Sequence, residues 1–308
     1  MASFTAPGLY GKIPAQADFV RFQAADAVAR PFVLWLEEAS ETVRRSGVQG
    51  DAEPVRFLFR PAGASRALAG LIAWSTDKVG RSFPLALFSQ LGGSDLGAVF
   101  PAVPRVTSAF LDAAAALVRE AATLSAAELS AQVEALPLPG PAELAAASPA
   151  LAERARGERG RDFLSRLFGG DGPERHAYAL HCFRSACQPA RGREPAGAAA
   201  VLDCPVRADL DRWAWLELSR RGLGWSVPPS FFWWAHPESQ LLLSLGPVPA
   251  STFGVLWDPA AKDARVWPLV TERPAAIASA LRALGTPLLE ALGREDLSLA
   301  DLLARVMP

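Results

Sequence analysis

The chain has 308 residues, of which 50% are hydrophobic, and a formal net charge of -1. This length and apolar content allow a large buried core without covalent staples, in one large domain or two of ordinary size. The near-neutral charge gives no general attraction to nucleic acid or to an anionic membrane, so polyanion binding is not a favoured function.

The cysteines and the N-terminus indicate the compartment. Cys182, Cys187 and Cys204 form an odd set in a long chain, unlike the dense even sets of small secreted scaffolds. The first residues lack the charged start and apolar run of a signal peptide, and every apolar run is shorter than a membrane span. We therefore expect a cytoplasmic protein without stable membrane insertion.

The first part of the chain predicts strands around an amphipathic helix. Short strands are expected over residues 9–14 and 55–60. Between them, large apolar residues recur at three- and four-residue spacing after Pro31, which predicts one buried helix face. Those residues are Phe32, Trp35, Leu36, Ala39 and Val43.

Residues 67–90 predict a β-hairpin. Two apolar arms, 67–74 and 83–90, flank a polar turn over 75–81. Because both arms are apolar at most positions, both faces of the hairpin should be covered. The sequence therefore predicts an α+β fold, a three-layer sandwich with helices on both faces of a mostly antiparallel sheet.

A helix is expected over 105–121, followed by an alanine-, proline- and glycine-rich stretch that we interpret as a mobile, partly helical connector. The second half predicts strands and a helix that opens at Asp209 and closes at Gly222. The predicted strands cover residues 178–184, 198–202, 230–235 and 241–245. Three short helices should end the chain. We predict an N-terminal region over 1–125, the connector over 126–174 and a C-terminal α/β region over 175–308, which could also form one continuous domain.

No pattern of catalytic residues stands out. The three histidines, His176, His181 and His236, accompany no Gly-x-Ser-x-Gly elbow. The cysteines lack Cys-x-x-Cys spacing, and no Gly-x-x-x-x-Gly-Lys run follows a strand. We therefore expect no enzyme activity, no cofactor and no metal.

Two polar or aromatic features allow more than one interpretation. Asp77 and Arg81 at the hairpin tip could pair across the turn, or could form a charged contact surface together with Lys78. In residues 231–234, Phe-Phe-Trp-Trp, strand alternation sends Trp233 and Trp234 to opposite faces. Core packing explains these aromatic residues, although an open face would suit a protein interface.

Three blocks of sequence resemble the TagF/ImpM family of type VI secretion accessory proteins. Residues 8–14, Gly-Leu-Tyr-Gly-Lys-Ile-Pro, and 17–20, Ala-Asp-Phe-Val, resemble the family's opening, with Ala17 in place of the usual glycine. Residues 75–85 resemble its second block. The third resemblance is looser and covers Pro229-Ser230, Trp233-Trp234 and the prolines after Gly246.

This resemblance implies a mixed α/β fold and a non-catalytic regulator that represses assembly of the secretion apparatus. The partner it implies is a forkhead-associated scaffold protein. We expect the motif residues around Gly11, Asp18, Asp77 and Arg81 to gather near one edge of the sheet. The residues expected to shape the loops or contact the partner are Gly11, Lys12, Pro14, Asp18, Phe19, Asp77, Lys78, Gly80, Arg81, Trp233 and Trp234.

Two other functions remain open at this point. One is an enzyme or small-ligand-binding protein that uses the cleft between the two halves. A deep pocket holding Asp18, Asp77 and a histidine would favour it. The other is a structural subunit of the secretion apparatus.

Overall fold

The computed structural model describes residues 1–46, 53–170, 173–197, 200–236, 239–258, 261–271 and 273–308. The strands are β1 Ser3–Gly11, β2 Val20–Phe22, β3 Val55–Phe59, β4 Ala67–Ala73, β5 Leu85–Gly92, β6 Val201–Val206, β7 Ser230–Trp233, β8 Ser239–Ser244 and β9 Val266–Pro268. The helices are α1 Ala29–Ser46, α2 Leu96–Val99, α3 Val103–Val106, α4 Ser108–Glu120, α5 Ala126–Glu134, α6 Pro141–Gly157, α7 Gly160–Phe168, α8 Pro173–Cys187, α9 Asp209–Leu223, α10 Thr252–Trp257, α11 Pro274–Leu284, α12 Thr286–Gly293 and α13 Leu299–Val306.

Strands from both halves of the chain form one nine-stranded sheet. Its order is β2-β1-β5-β4-β3-β7-β8-β6-β9. The neighbours pair antiparallel except for β6 and β9, which run parallel. The two halves meet where β3 pairs with β7, with Phe57 opposite Phe232.

Helices cover both faces of this sheet, as predicted. One face packs on α1 and α10 through a cluster that includes Phe32, Phe57 and Phe232. The other packs on most of the remaining helices through a cluster that includes Leu58, Phe231 and Trp215. The predicted three-layer α+β architecture is confirmed.

The hairpin and the aromatic strand are also confirmed. β4 and β5 pair from Ala67 opposite Leu91 to Ala73 opposite Leu85, and nearly all their residues are buried. In β7, Phe231 and Trp233 belong to one core cluster, whereas Phe232 and the following Trp234 belong to the other.

The predicted strand over 178–184 is wrong, because these residues lie inside α8. Ala179, Leu180, Phe183 and Cys187 are buried at three- and four-residue spacing, which is the helical period. A short apolar run of this kind does not distinguish a strand from a buried helix. Of the strand predicted over 198–202, residues 198 and 199 lie outside the described ranges, and β6 starts at Val201.

The stretch predicted as a connector contains α5, α6 and α7. Helix α5 begins with a capping box in which Ser125 and Glu128 bond each other's backbone amides. Leu144 of α6 and Phe163 of α7 are buried in the same core cluster as the sheet. The division of the chain at residues 125 and 175 stays a prediction.

Helix length bears on membrane crossing. No single helix in the described ranges is both long and apolar enough to cross a membrane. Helices α11 and α12 together meet the length and composition required, with a bend of 108° between them.

Polar groups also connect the halves beside the β3–β7 pairing. The Arg60 amide donates to Ser230 Oγ at 2.9 Å, and Ser230 Oγ donates back to the Arg60 carbonyl at 3.3 Å. The buried Arg60 guanidinium donates to the Pro228 carbonyl at 2.7 Å and pairs with Glu194 at 2.5 Å. Each half thus satisfies polar groups that the other buries.

Replacing Ser230 by alanine should therefore weaken the connection between the halves. The Arg60 amide would lose its acceptor in a buried position, so we expect the free energy of unfolding to fall by about 1–3 kcal/mol in chemical denaturation. Thr42→Ala, which removes an exposed hydroxyl bonded to the Glu38 carbonyl, should change it by less than about 0.5 kcal/mol. Equal effects of the two substitutions would contradict this prediction.

Candidate functional site

Two loops meet at one end of strands β1, β4 and β5. The first, residues 12–19, leaves β1 and returns as the edge strand β2, while the second, residues 74–84, connects β4 to β5. The Lys78 amide donates to the Gln16 carbonyl at 3.0 Å, which joins the loops directly. The predicted gathering of these motif residues near one sheet edge is confirmed.

Gly11 allows the strands below these loops to approach closely. It lies opposite Leu85, and its φ is +149°. A Cβ atom at this position would lie 2.2 Å from the Pro84 carbonyl oxygen and 2.6 Å from Leu85 Cα. Only glycine fits there without moving backbone.

The Asp77 carboxylate lies at the centre of the site, and its side chain is 0% exposed. Oδ1 accepts from the amides of Val79 at 3.0 Å and Arg81 at 2.9 Å. Oδ2 accepts from Lys12 Nζ at 2.9 Å and Arg81 Nε at 2.6 Å. These four donors use the whole accepting capacity of a carboxylate. Arg81 Nη2 also donates to the Ala17 carbonyl at 2.7 Å, so this bond joins the loops as the Lys12–Asp77 pair does. We call these contacts of Lys12, Asp77 and Arg81 the clasp.

These contacts keep Asp77 ionised. Burial by itself would raise its pKa, but the hydrogen bonds from Lys12, Arg81 and the Val79 amide outweigh burial. The pKa of Asp77 is therefore held well below its usual value. A carboxylate in this state neither takes up a proton near neutral pH nor has an accepting position free for a substrate.

Aromatic rings enclose the lysine side of the clasp. Lys12 Nζ lies 5.2 Å from the centre of the Phe19 ring. Phe19 stacks on Tyr10 at 5.3 Å and meets Phe83 edge-on at 4.8 Å. The Tyr10 hydroxyl donates to Glu37 of α1 at 2.5 Å. Burial and the Glu37 carboxylate raise the pKa of Tyr10, so this tyrosine stays protonated as a donor.

The outer side of the site is exposed and mixed in character. Val79 is 67% exposed, the Arg81 side chain is 60% exposed, and Lys78 and Gly80 are also exposed. Asp18 on the neighbouring loop faces solvent, while Pro14 is half-buried. We call Asp18, Lys78, Val79 and Arg81 the exposed rim.

The other predicted residues lie elsewhere. Trp233 is 1% exposed and Trp234 is 7% exposed, so both are core residues. They lie in and directly after β7, which pairs with β3 and β8 and not with the strands that carry the Asp77 loops. Cys187 and Cys204 are buried thiols, and burial raises their pKa. In the described ranges, no three His, Cys, Asp or Glu side chains form a group that could hold a metal ion.

Sequence reasoning predicted the pair of Asp77 and Arg81 but missed two partners. Lys12 is 65 positions from Asp77 in sequence, and only the resemblance named it. The link from Tyr10 to Glu37 was missed altogether, because Glu37 is not one of the apolar residues that predicted the buried face of α1.

Comparison with known protein families identifies a domain that contains the Asp77 cluster. Residues 8–136 match the family model of the TagF N-terminal domain, described as type VI secretion system-associated. The chain therefore contains a TagF N-terminal domain. The matched domain contains both loops of the Asp77 cluster, whereas Trp233 and Trp234 lie outside it. The match confirms the resemblance drawn from the first two blocks of motif residues, and it indicates that the protein is associated with type VI secretion.

The chain also aligns with a solved structure at low sequence identity. The crystal structure of PA0076 from Pseudomonas aeruginosa PAO1 aligns with a TM-score of 0.46 and 18% sequence identity, over 85% of this chain and 99% of that one. No curated protein matches the chain significantly.

The close approach at Gly11 yields a stability prediction. Gly11→Ala would force a Cβ atom against the Pro84 and Leu85 backbone, and we expect a loss of more than about 3 kcal/mol in free energy of unfolding. Gly80→Ala, at φ +84° with nothing within 4 Å of the added atom, should cost only about 1–2 kcal/mol. Chemical denaturation of both variants checks the order, which a milder effect at Gly11 would contradict.

The low pKa of Asp77 yields a pH prediction. Its folded-state pKa lies below the ordinary value of about 4, so its ionised form contributes stability above about pH 4, and this contribution is lost as the pH falls through the folded-state pKa. Asp77→Asn should therefore be less stable than the wild type at pH 7, and the difference should shrink below pH 4.

Chemical denaturation at a series of pH values checks this. Asp18→Asn is the matched control, because that carboxyl is exposed and has no partner among the described residues. Its difference from the wild type should stay near zero throughout. A gap between Asp77→Asn and the wild type that stays constant down to pH 2 would show that Asp77 is not the titrating group.

Proposed function

We propose that this protein is a TagF-family repressor of type VI secretion, non-catalytic and cytoplasmic, that binds a forkhead-associated scaffold protein through the exposed rim. One observation carries the proposal. The Asp77 carboxylate is saturated by four donors from its own chain, while its neighbours in the loop face solvent.

The saturation of Asp77 supports a structural role over a catalytic one. A general base needs a free lone pair and a pKa near the working pH, and Asp77 has neither. Its partners are Lys12, Val79 and Arg81, and no histidine is among them. The pocket of Asp18, Asp77 and a histidine that would favour an enzyme is not assembled in the described structure.

The character of the rim supports protein binding. Val79 offers an exposed apolar side chain between the cations Lys78 and Arg81, with the Asp18 carboxylate on the adjacent loop. A small apolar centre with charged neighbours is common at protein interfaces. The clasp holds this loop in one conformation, so binding would cost little ordering entropy.

A charge-reversal experiment tests the proposal. Lys78→Glu with Val79→Asp changes two exposed side chains that contribute nothing to the clasp, so the variant should keep the wild-type thermal stability. We expect its affinity for the purified forkhead-associated protein of the same bacterium to fall at least tenfold, measured by isothermal titration calorimetry.

Lys262→Glu provides the matched control, since it reverses an exposed lysine in the C-terminal half. Its affinity should equal that of the wild type. Secretion should rise in cells that carry the Lys78 and Val79 variant and stay repressed with the control. Unchanged affinity of the rim variant would contradict the proposed surface, and stoichiometric sedimentation with assembled particles would favour a structural subunit instead.

A further inference from the structure

A polar cavity of about 200 Å³ lies beside the pairing of β3 with β7, away from the Asp77 cluster. Both halves of the chain line it. Arg56 of β3 and Trp233 of β7 are cross-strand partners on its wall, and α3, α4 and α9 close the other sides. Its charged lining residues are Arg56, Arg105, Asp112, Asp209 and Arg212.

Two of its three arginines are desolvated. The side chain of Arg212 is 6% exposed and that of Arg56 is 10% exposed. Arg212 Nη2 donates to the carbonyls of Trp234 at 3.0 Å and His236 at 2.7 Å. These bonds to neutral carbonyls fix the guanidinium without neutralising it. Its Nε atom is buried and has no hydrogen-bond partner among the described residues.

The compensating carboxylates lie at the solvent side of the cavity. Asp112 pairs with Arg56 and Asp209 with Arg212, each at 2.6 Å, yet their side chains are 66% and 61% exposed. The exposed Arg105 at the cavity has no partner in the described part of the chain. Three guanidinium groups thus face two carboxylates that can turn to water.

The arginines also repel each other. Burial lowers the pKa of Arg212, Asp209 counteracts this effect, and the positive charge of Arg56 lowers the pKa further. The Asp211 carboxylate raises the pKa of Arg212 as Asp209 does, but burial and Arg56 prevail. With the exposed Arg105, the cavity lining has three arginines and two carboxylates, so its formal charge is positive.

We propose that this cavity binds a phosphate group, held by Arg56, Arg105 and Arg212. The planar forks of arginine match the oxygens of phosphate, and a dianion would relieve the repulsion between the two buried guanidinium groups. On binding, it would take the places of Asp112 and Asp209, which would turn to solvent. This site goes beyond the proposed function, which does not require it.

The size of the cavity restricts the ligand. A volume of about 200 Å³ corresponds to the space of six or seven waters in the liquid, and pockets for drug-sized ligands begin near 300 Å³. The cavity therefore suits inorganic phosphate or the phosphate end of a monoester, and it is too small to enclose a whole nucleotide.

Calorimetric titration at pH 8 and constant ionic strength tests the proposal with two probes, inorganic phosphate and methyl phosphate. We expect saturable binding of at least one. Binding of inorganic phosphate alone would identify the free ion as the ligand, whereas comparable binding of methyl phosphate would show that the site accepts an ester.

Variants that are expected to change the phosphate affinity in opposite directions locate the site. Arg105→Gln alters an exposed residue, so it should fold normally and weaken binding by about tenfold. Asp112→Asn should strengthen binding several-fold, because it removes the carboxylate that competes for Arg56. Arg119→Gln, an exposed arginine of α4 outside the cavity, should bind as the wild type does.

Three results would overturn the proposal. The first is no saturable binding of either probe. The second is equal weakening by Arg105→Gln and Arg119→Gln, which would indicate general attraction to surface charge. The third is weaker binding by Asp112→Asn, which would show that the anion does not compete with Asp112.

Discussion

The buried carboxylate of Asp77 determines how the two loops of the candidate site pack together. An ionised group without solvent contact is stable only where protein donors replace its water. Lys12 from one loop, and Arg81 and the Val79 amide from the other, supply those donors. The loops can therefore meet in one arrangement only, which sets the direction in which the rim faces. Gly11 contributes from below, because its missing side chain lets β1 lie against the start of β5.

Where the two halves of the chain meet, buried polar groups also need partners from the protein. Around Arg60, buried polar groups of one half find their partners in the other. Around Arg56 and Arg212 the compensation is looser, since the opposing carboxylates lie at the solvent boundary. The first arrangement stabilises the fold, whereas the second leaves capacity for a ligand. The junction between the halves thus contains one buried polar contact, at Arg60, and one that is partly open to solvent, at Arg56 and Arg212.

The sequence predicted features whose determinants are close together in the chain. The hairpin of β4 and β5 follows from two apolar arms around a polar turn, and the pair of Asp77 and Arg81 spans four positions. Lys12 could not be joined to Asp77 from pattern alone, because tertiary folding brings together residues 65 positions apart. Residues 178–184 were assigned to a strand because a short apolar run fits both periods, and the packing of α8 on α9 and α11 decided for the helix. The phosphate cavity left no local signal, since its arginines come from three separate elements.

The shortness of the two outermost strands limits how another protein can pair with the sheet. β2 and β9 are three residues each, and β9 ends in proline, which lacks an amide hydrogen. These two strands therefore offer few unpaired amides and carbonyls of their own to a neighbouring polypeptide, which limits sheet extension through them. β2 covers only the Leu9–Gly11 part of β1, and β9 covers only the Val201–Asp203 part of β6. At β2 and β9 themselves, a binding protein would accordingly have to recognise side chains, because these strands give it little backbone to extend.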